Sequence, residues 1–267
     1  MATVRDNAQT RQSTQTWDLY VDNVSEVFQS GAGKVHAVDE VSFGVEEGKF
    51  IGLVGPSGCG KSSLLLMMAG LLRPTSGRVV IRGKDIKEPI PTEVGVVFQE
   101  SSLLPWKTAV QNVEFPLHLR GISKVERRRE ALAMLELVGL KDFADRRPHE
   151  LSGGMKQRVA VARGFCQDPR ILLMDEPFAA LDEQTRMTLG DELLRIWEQH
   201  RKTVVFVTHS LTEAVYLCDE VFVMSARPGK LVGHMVIPLG RPRTYDMMAT
   251  EAFGKLRDEI WRLIRTS

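Results

Sequence analysis

The chain has 267 residues, enough to bury a substantial hydrophobic core in one α/β domain with a helical insertion or in two small domains. Its 35 Lys and Arg against 34 Asp and Glu give a net charge of +1, so no electrostatic surplus indicates a nucleic-acid partner. The three cysteines, Cys59, Cys166 and Cys218, have neither a metal-binding spacing nor an even number for disulfides, which favours a reducing cytosol.

The first segment, residues 1–17, is polar and lacks the apolar core of a signal peptide, so we predict a flexible tail. The longest apolar run, Leu64 to Leu72, is far shorter than the roughly 20 residues that span a bilayer. Lys61 and Arg73 flank this run. The chain is therefore predicted not to be embedded in a membrane.

Apolar and polar residues alternate from Asp18 to Val45, which predicts antiparallel strands joined by a turn at Ser30 to Gly33. Phe50 to Val54 is a short apolar run, and a helical pattern follows from Lys61 to Leu72. A Gly-rich loop therefore lies between a predicted strand and a predicted helix. Residues 79–81 and 94–98 continue the strand pattern.

The pattern becomes helical from about Thr108 to Leu140, which predicts a helical insertion. A helix after Ser123 would place four apolar residues on one face: Ala131, Met134, Leu135 and Val138.

In the last third, strand patterns return at 171–174 and 203–207, with a helix between them from about Glu183 to Gln199. This alternation predicts a parallel sheet covered by helices. A final strand pair, 220–224 and 231–237, precedes an amphipathic helix predicted from Met247 to Ile264.

The Gly-rich loop has the spacing of a phosphate loop. Glycines let successive backbone N–H groups turn toward one anion, and the following helix adds the positive end of its dipole. We predict that Lys61 reaches the β- and γ-phosphates of a nucleotide and that the Ser62 hydroxyl ligates Mg²⁺. Cys59 is interpreted as a small loop residue because the sequence around it offers no evident base. The predicted nucleotide contacts in this loop are Gly55, Pro56, Ser57, Gly58, Cys59, Gly60, Lys61, Ser62 and Ser63.

Two acids follow the apolar run at 171–174, which predicts a buried strand that delivers carboxylates to the sheet edge where open α/β sheets bind ligands. Asp175 is predicted to hold Mg²⁺ through its water shell. Glu176 is predicted to polarise the water that attacks the γ-phosphate. The alternative is a pair of solvated acids before Pro177.

His209 and Gln99 each follow another predicted strand. We predict that His209 donates a hydrogen bond to the γ-phosphate and that the Gln99 amide contacts both metal and water. Each position also suits a polar residue that only ends a strand, so the sequence leaves both interpretations open.

These elements in this order resemble the ATP-binding cassette family over about Leu19 to Ile237. The family's phosphate loop matches Gly55–Ser62, its glutamine loop matches Gln99, and its signature matches Leu151–Met155. Its magnesium strand matches Ile171–Glu176, its Ala-Leu-Asp loop matches Ala180–Asp182, and its switch histidine matches His209.

The resemblance implies an α/β fold of the phosphate-loop NTPase (P-loop, RecA-like) type. Its mainly parallel sheet is expected with an antiparallel β subdomain and an α-helical subdomain of about residues 100–165. The ATPase domain is expected at 18–240 and the C-terminal helix at 241–267.

In that family, the signature of one subunit closes over the ATP of a second copy, so that two ATP molecules lie between two head-to-tail cassettes. Ser152, Gly153 and Gly154 at a helix start would offer backbone donors to a phosphate; alone, they are a capping serine and a flexible turn. The resemblance implies that Asp182 links the two sites. It also implies that Phe28 stacks on adenine, with packing on an edge strand as the alternative.

Three residues depart from the family's common choices: Met155 replaces Gln, Ala179 replaces Ser and Phe28 replaces Tyr. The first two leave the phosphate-facing glycines and Asp182 intact, so activity is expected.

The single cassette resembles importer ATPases, and Ser101–Trp106 and Met224–Gly229 resemble the branch that serves nitrate, sulfonate and taurine uptake. The implied partners are a second copy of the chain, two transmembrane permease subunits and an extracytoplasmic solute-binding protein. The implied location is peripheral, at the cytoplasmic face of the plasma (inner) membrane. Leu104, Pro105 and Trp106 are candidate docking residues, unless Trp106 packs internally.

Three other functions compete with transport. A cassette ATPase acting on ribosomes or in DNA repair predicts a second cassette, a long coiled-coil insertion or a basic face, and the sequence shows none. A phosphate-loop small-molecule kinase leaves the signature and His209 unexplained. A non-hydrolysing nucleotide-binding regulator leaves Glu176 without a role.

Overall fold

The computed structural model describes residues 17–30, 33–179 and 181–266. The strands in chain order are β1 (Leu19–Ser30), β2 (Gly33–Val45), β3 (Phe50–Val54), β4 (Ser76–Ile81), β5 (Lys84–Asp85), β6 (Val94–Val97), β7 (Ile171–Asp175), β8 (Thr203–Thr208), β9 (Glu220–Met224) and β10 (Leu231–Val236). The α-helices are α1 (Lys61–Met68), α2 (Ala109–Val113), α3 (Phe115–Leu119), α4 (Lys124–Leu137), α5 (Gly153–Cys166), α6 (Glu183–His200), α7 (Leu211–Leu217) and α8 (Glu251–Arg265). Short 3₁₀ turns occur at Lys141–Phe143, Pro148–Glu150 and Tyr245–Ala249.

The described chain forms two compact units, with boundaries after Pro89 and after Val204. The first unit contains the residues before Ile90 and those from Val205 onward, and the second is Ile90–Val204. Of the predicted tail at 1–17, only Trp17 is described. The predicted helical subdomain falls inside the second unit, which also holds β6, β7 and α6.

The first unit contains the predicted antiparallel sheet, in the order β2-β1-β4-β5. Leu19 on β1 pairs with Val45 on one side and with Ile81 on the other. Strand β1 is therefore central as far as Ser25, whereas Phe28 lies beyond the pairing with β4 and pairs only with Val35 of β2, so both interpretations of Phe28 stay predictions. The alternating sequence could not reveal which strands flank β1.

A second sheet in this unit runs β10-β9-β3-β8. Strands β3 and β9 are parallel, and β9 and β10 are antiparallel. All five residues of β3 are buried, as expected for a strand in the middle of a covered sheet. The loop that follows β3 therefore starts from a rigid position.

Helix α1 begins after Gly60 and ends at Met68, four residues before the end predicted from the apolar run to Leu72. Gly70 has φ +71° and donates its N–H to the carbonyl of Met67. Glycine in the left-handed conformation is a common helix terminator, and here it overrides the continuing apolar pattern.

The second unit pairs β6 with β7 in parallel, with Val94 opposite Ile171. The side chain of Ser123 caps α4 by accepting from the amide of Glu126, so this helix starts where the sequence predicts. Residues 131, 135 and 138 are buried on the predicted face, and residue 134 is half-buried.

The C-terminal helix α8 begins at Glu251 rather than at the predicted Met247. The hydroxyl of Thr250 caps it by accepting from the amide of Phe253, at 3.3 Å, and Tyr245–Ala249 forms a 3₁₀ turn instead. Phe253 and Ile260 are its buried residues. None of the helices in the described part of the chain is both long and apolar enough to cross a bilayer.

Two arginines beyond β10 secure the strands beside the Gly-rich loop. Asp219 accepts the amide of Phe50, at the start of β3, on one oxygen and the guanidinium of Arg241 on the other.

Arg243 is buried and donates to the carbonyls of Val215, Tyr216 and Cys218 at 2.8 to 3.1 Å. Burial lowers the pKa of Arg243 to about 10, so the group stays charged at neutral pH. The end of α7 suits a cation because its carbonyls carry the negative end of the helix dipole.

Replacing Arg243 by Met should lower the free energy of unfolding by about 2 to 4 kcal/mol, because three buried carbonyls lose their donor. Urea denaturation measures this change. Arg265→Met, at an exposed position in α8, is the matched control and should stay close to wild type. Equal stability of the two variants would contradict the role given to Arg243.

Candidate active site

The phosphate loop depends on glycines at positions where a side chain would be strained or would clash. Gly58 and Gly60 have φ values of +77° and +93°. A Cβ at Gly60 would lie 2.7 Å from the carbonyl oxygen of Ala37. A Cβ at Gly55 would lie 2.8 Å from the carbonyl oxygen of Met224. The loop is therefore closely surrounded by backbone of the first unit.

Lys61 lies under the loop, with 5% of its surface exposed. Its ammonium donates to the carbonyls of Gly55 and Pro56, at 2.9 and 3.0 Å. The thiol of Cys59 is buried 3.9 Å from the same ammonium, and burial raises its pKa despite that positive charge. A raised pKa leaves less reactive thiolate, which supports the interpretation of Cys59 as a small loop residue.

Three other predicted residues of the first unit are accessible. Ser62, in the first turn of α1, is exposed, and so is His209, which directly follows β8. The side chain of Phe28 is 39% exposed on β1. Each is therefore available to a ligand.

In the second unit, Asp175 is the last residue of β7 and Glu176 follows it. Both are half-buried. Glu176 has φ +43°, in the left-handed region that non-glycine residues rarely adopt. Its carbonyl accepts the amide of Ala179 in a tight turn, at 3.1 Å. Such strain costs about 1 to 3 kcal/mol and is concentrated at functional sites.

The exposed Gln99 lies in a segment that is held by α5. Gln157 donates to the carbonyl of Phe98 at 3.2 Å, and Arg163 donates to the carbonyls of Ser101 and Ser102 at 2.8 and 2.9 Å. Burial lowers the pKa of Arg163. Sequence reasoning missed Gln157 and Arg163 because their partners lie about 60 residues away and no local pattern marks them.

The signature segment opens α5 as the capping interpretation predicts. The hydroxyl of Ser152 accepts the amide of Met155 at 3.3 Å. Ser152 and Gly153 are exposed, and a Cβ at Gly153 would meet nothing within 4 Å. A Cβ at Gly154 would approach Leu181 and Thr185 at 3.3 Å. The start of α5 at Ser152 and Gly153 therefore lies at the surface.

Asp182 caps α6 by accepting the amide of Thr185 at 2.9 Å. This hydrogen bond lowers the pKa of the Asp182 carboxyl. Ala180, in the same matched loop, lies outside the described residues. Asp182 thus has a structural role within the chain that the sequence interpretation did not include.

A buried strand, a glycine loop over a lysine and a following helix define the first unit as the phosphate-binding part of a phosphate-loop NTPase. A model of the ABC transporter family matches residues 38–179. The chain therefore belongs to the ABC transporter family, as an ATP-binding cassette with ATPase activity.

Similar proteins agree with this assignment. The chain is 44% identical to the taurine import ATP-binding protein TauB of Rhizobium johnstonii, over 93% of this chain and 97% of that protein. It is 42% identical to the nitrate import ATP-binding protein NrtD of Synechocystis sp., over 92% and 95%. Among solved structures, it resembles the dimeric post-hydrolysis state of the ATP-binding cassette MJ0796 bound to ADP and Pi, with a TM-score of 0.76 and 32% identity over 83% of this chain and 100% of that one. The predicted family and fold are confirmed.

Two alanine substitutions should separate backbone strain from backbone collision in the phosphate loop. Gly58→Ala should cost about 1 kcal/mol of stability because it adds left-handed strain and its Cβ meets only the flexible end of the Arg227 side chain, at 3.3 Å. Gly60→Ala should cost about 3 kcal/mol or more because it also meets the carbonyl of Ala37. Denaturation and binding of a fluorescent ATP analogue measure both effects. The account of the loop fails if Gly60→Ala is tolerated as well as Gly58→Ala.

Proposed function

We propose that this chain is the ATP-hydrolysing subunit of an importer for a small anion. Two copies close head to tail around two ATP molecules, and hydrolysis with product release reopens them. The pair acts on two transmembrane permease subunits from the cytoplasmic face of the membrane, and an extracytoplasmic solute-binding protein delivers the solute.

The observation that carries the two-copy site is the exposed start of α5. Glycine in the first turn of a helix is unfavourable, and the open space around Gly153 gives no packing reason for it within this chain. Close approach of a ligand to the backbone is the reason that remains. The amides of Gly153 and Gly154 would then bind the γ-phosphate of an ATP held by the partner copy.

Within the phosphate loop, backbone amides and Lys61 bind the phosphates and offset their charge. Glu176 accepts a proton from the attacking water as the water oxygen bonds to the γ-phosphorus. The bond between the γ-phosphorus and the bridging oxygen breaks, and ADP leaves. His209 and Gln99 orient the γ-phosphate and that water. The strained backbone of Glu176 supports this role, because a site that needs a carboxylate in one place has a reason to keep the strain.

The hydroxyl of Ser62, the amide oxygen of Gln99 and the carboxylate of Asp175 are all oxygen donors, which is the ligand chemistry that Mg²⁺ prefers. These residues would hold Mg²⁺, which would neutralise charge on the β- and γ-phosphates. The exposed ring of Phe28 is available to adenine, and Asp182 would face the second copy from the start of α6.

The docking surface for the permease is the turn Leu104–Lys107 and the groove beside it. Trp106 is 69% exposed, so the alternative that it packs internally is wrong. The buried side chain of Asn112 accepts the amide of Leu104 and donates to the carbonyls of Leu104, Lys107 and Thr108. A groove of about 240 Å³ includes Leu104 and the side chains of Phe115 and Pro116.

A rigid turn that presents a tryptophan loses little conformational entropy when a partner binds, which favours its use as an interaction anchor. The taurine and nitrate import proteins that resemble this chain support a small anion as the cargo. The solute itself contacts the permease and the binding protein rather than the cassette.

Glu176→Gln should slow phosphate release by at least about 100-fold while leaving ATP binding intact, because the amide cannot take the proton from water. The variant should accumulate as an ATP-dependent dimer. Size-exclusion chromatography with ATP and Mg²⁺, combined with a phosphate assay, measures both. A variant that neither dimerises with ATP nor loses turnover would contradict the two-copy site.

Trp106→Ala should reduce solute uptake and permease-stimulated ATP hydrolysis by about tenfold, as expected when an aromatic anchor is removed from an interface. The basal ATPase rate of the isolated chain should not change. Trp261→Ala is the matched control, since Trp261 is 51% exposed on α8. Equal uptake with the two variants, measured in reconstituted vesicles, would exclude the turn as the docking site.

A further inference from the structure

The segment Ser225–Lys230, between β9 and β10, forms a closed loop. The amide of Ser225 donates to the carbonyl of Lys230, and the Ser225 hydroxyl accepts the amide of Lys230, both at 2.9 Å. The same hydroxyl lies 3.0 Å from the carbonyl oxygens of Ala226 and Pro228. One side chain thus fixes the path of the loop.

This loop is also bonded to β2. Gly229 donates its amide to the carbonyl of Ala37 and accepts the amide of Asp39 on its own carbonyl, both at 3.0 Å. The ammonium of Lys230 pairs with the carboxylate of Asp39 at 2.9 Å. The position of Gly229 is therefore fixed by two elements of the first unit.

From this position the loop contacts two consecutive carbonyls of the phosphate loop. The guanidinium of Arg227 donates to the carbonyl of Gly58 through Nε at 3.3 Å and Nη2 at 3.2 Å. Gly229 lies so close to the carbonyl of Cys59 that a Cβ there would be 1.9 Å from its oxygen. The carbonyls of Gly58 and Cys59 thus face the Ser225–Lys230 loop.

In a trans peptide the C=O and N–H groups point in opposite directions. Holding the two carbonyls toward the Ser225–Lys230 loop therefore directs the amides of Cys59 and Gly60 to the other side. The Cys59 amide donates to the carbonyl of Pro56, and that carbonyl also accepts the Lys61 ammonium. The amides thus point to the side of the loop where the lysine charge lies.

We propose that Arg227 is a positioning residue for the phosphates of ATP. By holding the carbonyl of Gly58 outward, it keeps the Cys59 amide on the lysine side, where it bonds the carbonyl of Pro56. This fixes the turn that directs the next amide, that of Gly60, at the bound anion before the nucleotide arrives. Arg227 therefore contributes to the affinity for the nucleotide, because the phosphates are bound in the ground state as well as during hydrolysis.

Arg227→Ala should raise the Kd and the KM for ATP about fivefold to tenfold, the size expected for one hydrogen bond at an exposed position, and should change kcat by less than about twofold. Arg227→Lys keeps a charged donor and should return both constants to within about twofold of wild type. Arg265→Ala, at an exposed arginine of α8, is the control and should match wild type. Binding of a fluorescent ATP analogue and steady-state ATP hydrolysis by the full chain measure these values.

Unchanged Kd and KM in Arg227→Ala would overturn the proposal, as would a Lys variant as weak as the Ala variant. A rise in KM together with a loss of more than about 5 °C in the melting temperature of the ATP-free chain would also overturn it, because the arginine would then be a general stabilising residue. These measurements use the isolated chain, so they do not depend on the proposed transport function.

Discussion

The direction of the peptide groups in the phosphate loop is the constraint on which the rest of the site depends. A loop that binds a polyanion must turn its amides inward and its carbonyls outward, although carbonyls normally seek the nearest donor. Here the Lys61 ammonium donates to the carbonyls of Gly55 and Pro56. Arg227 donates to the carbonyl of Gly58, and the surrounding backbone leaves no room for a side chain at Gly60. Lysine and glycine are thus required as much by the architecture of the loop as by contact with phosphate.

The local sequence pattern predicts those parts of the structure that depend on residues close together in the chain. The apolar run of β3, the glycine spacing of the loop and the serine before α5 were predictable because a strand, a left-handed turn and a helix cap each need only a few adjacent residues. The ends of α1 and α8 were not, since a glycine in one case and a threonine cap in the other overruled the apolar pattern.

The remaining features arise from contacts between distant residues. Arg227 and Gly58 are separated by 169 positions, and the segment holding Arg227 carried no signal of its role beyond a family likeness. The central position of β1 depends on pairing with β4, and the strain at Glu176 depends on a backbone angle. Neither property is encoded in a short window of sequence.

If two copies of the chain work as a pair, two surfaces of the second unit have a common explanation: the start of α5 and the docking turn at Trp106. Packing within one copy gives no reason for the exposed glycine at the start of α5, and α5 also holds the segment that carries Gln99. In this account the helix that senses the partner's ATP is bonded directly to the segment leading to the docking turn at Trp106. Movement of α5 on dimer closure would therefore reach the permease surface through hydrogen bonds rather than through a flexible linker.

The claim that each active site is assembled from two copies is tested most directly by mixing two inactive variants. Lys61→Ala removes the phosphate-loop charge, whereas Gly153→Asp places a carboxylate in open space at the start of α5, where it suits the helix but repels phosphate. In a mixed dimer both lesions fall in one site and the other site is intact. An equal mixture should recover about a quarter of the wild-type ATPase rate, since half of the dimers are mixed and each has one intact site. A rate equal to the average of the two separate variants would contradict the composite site.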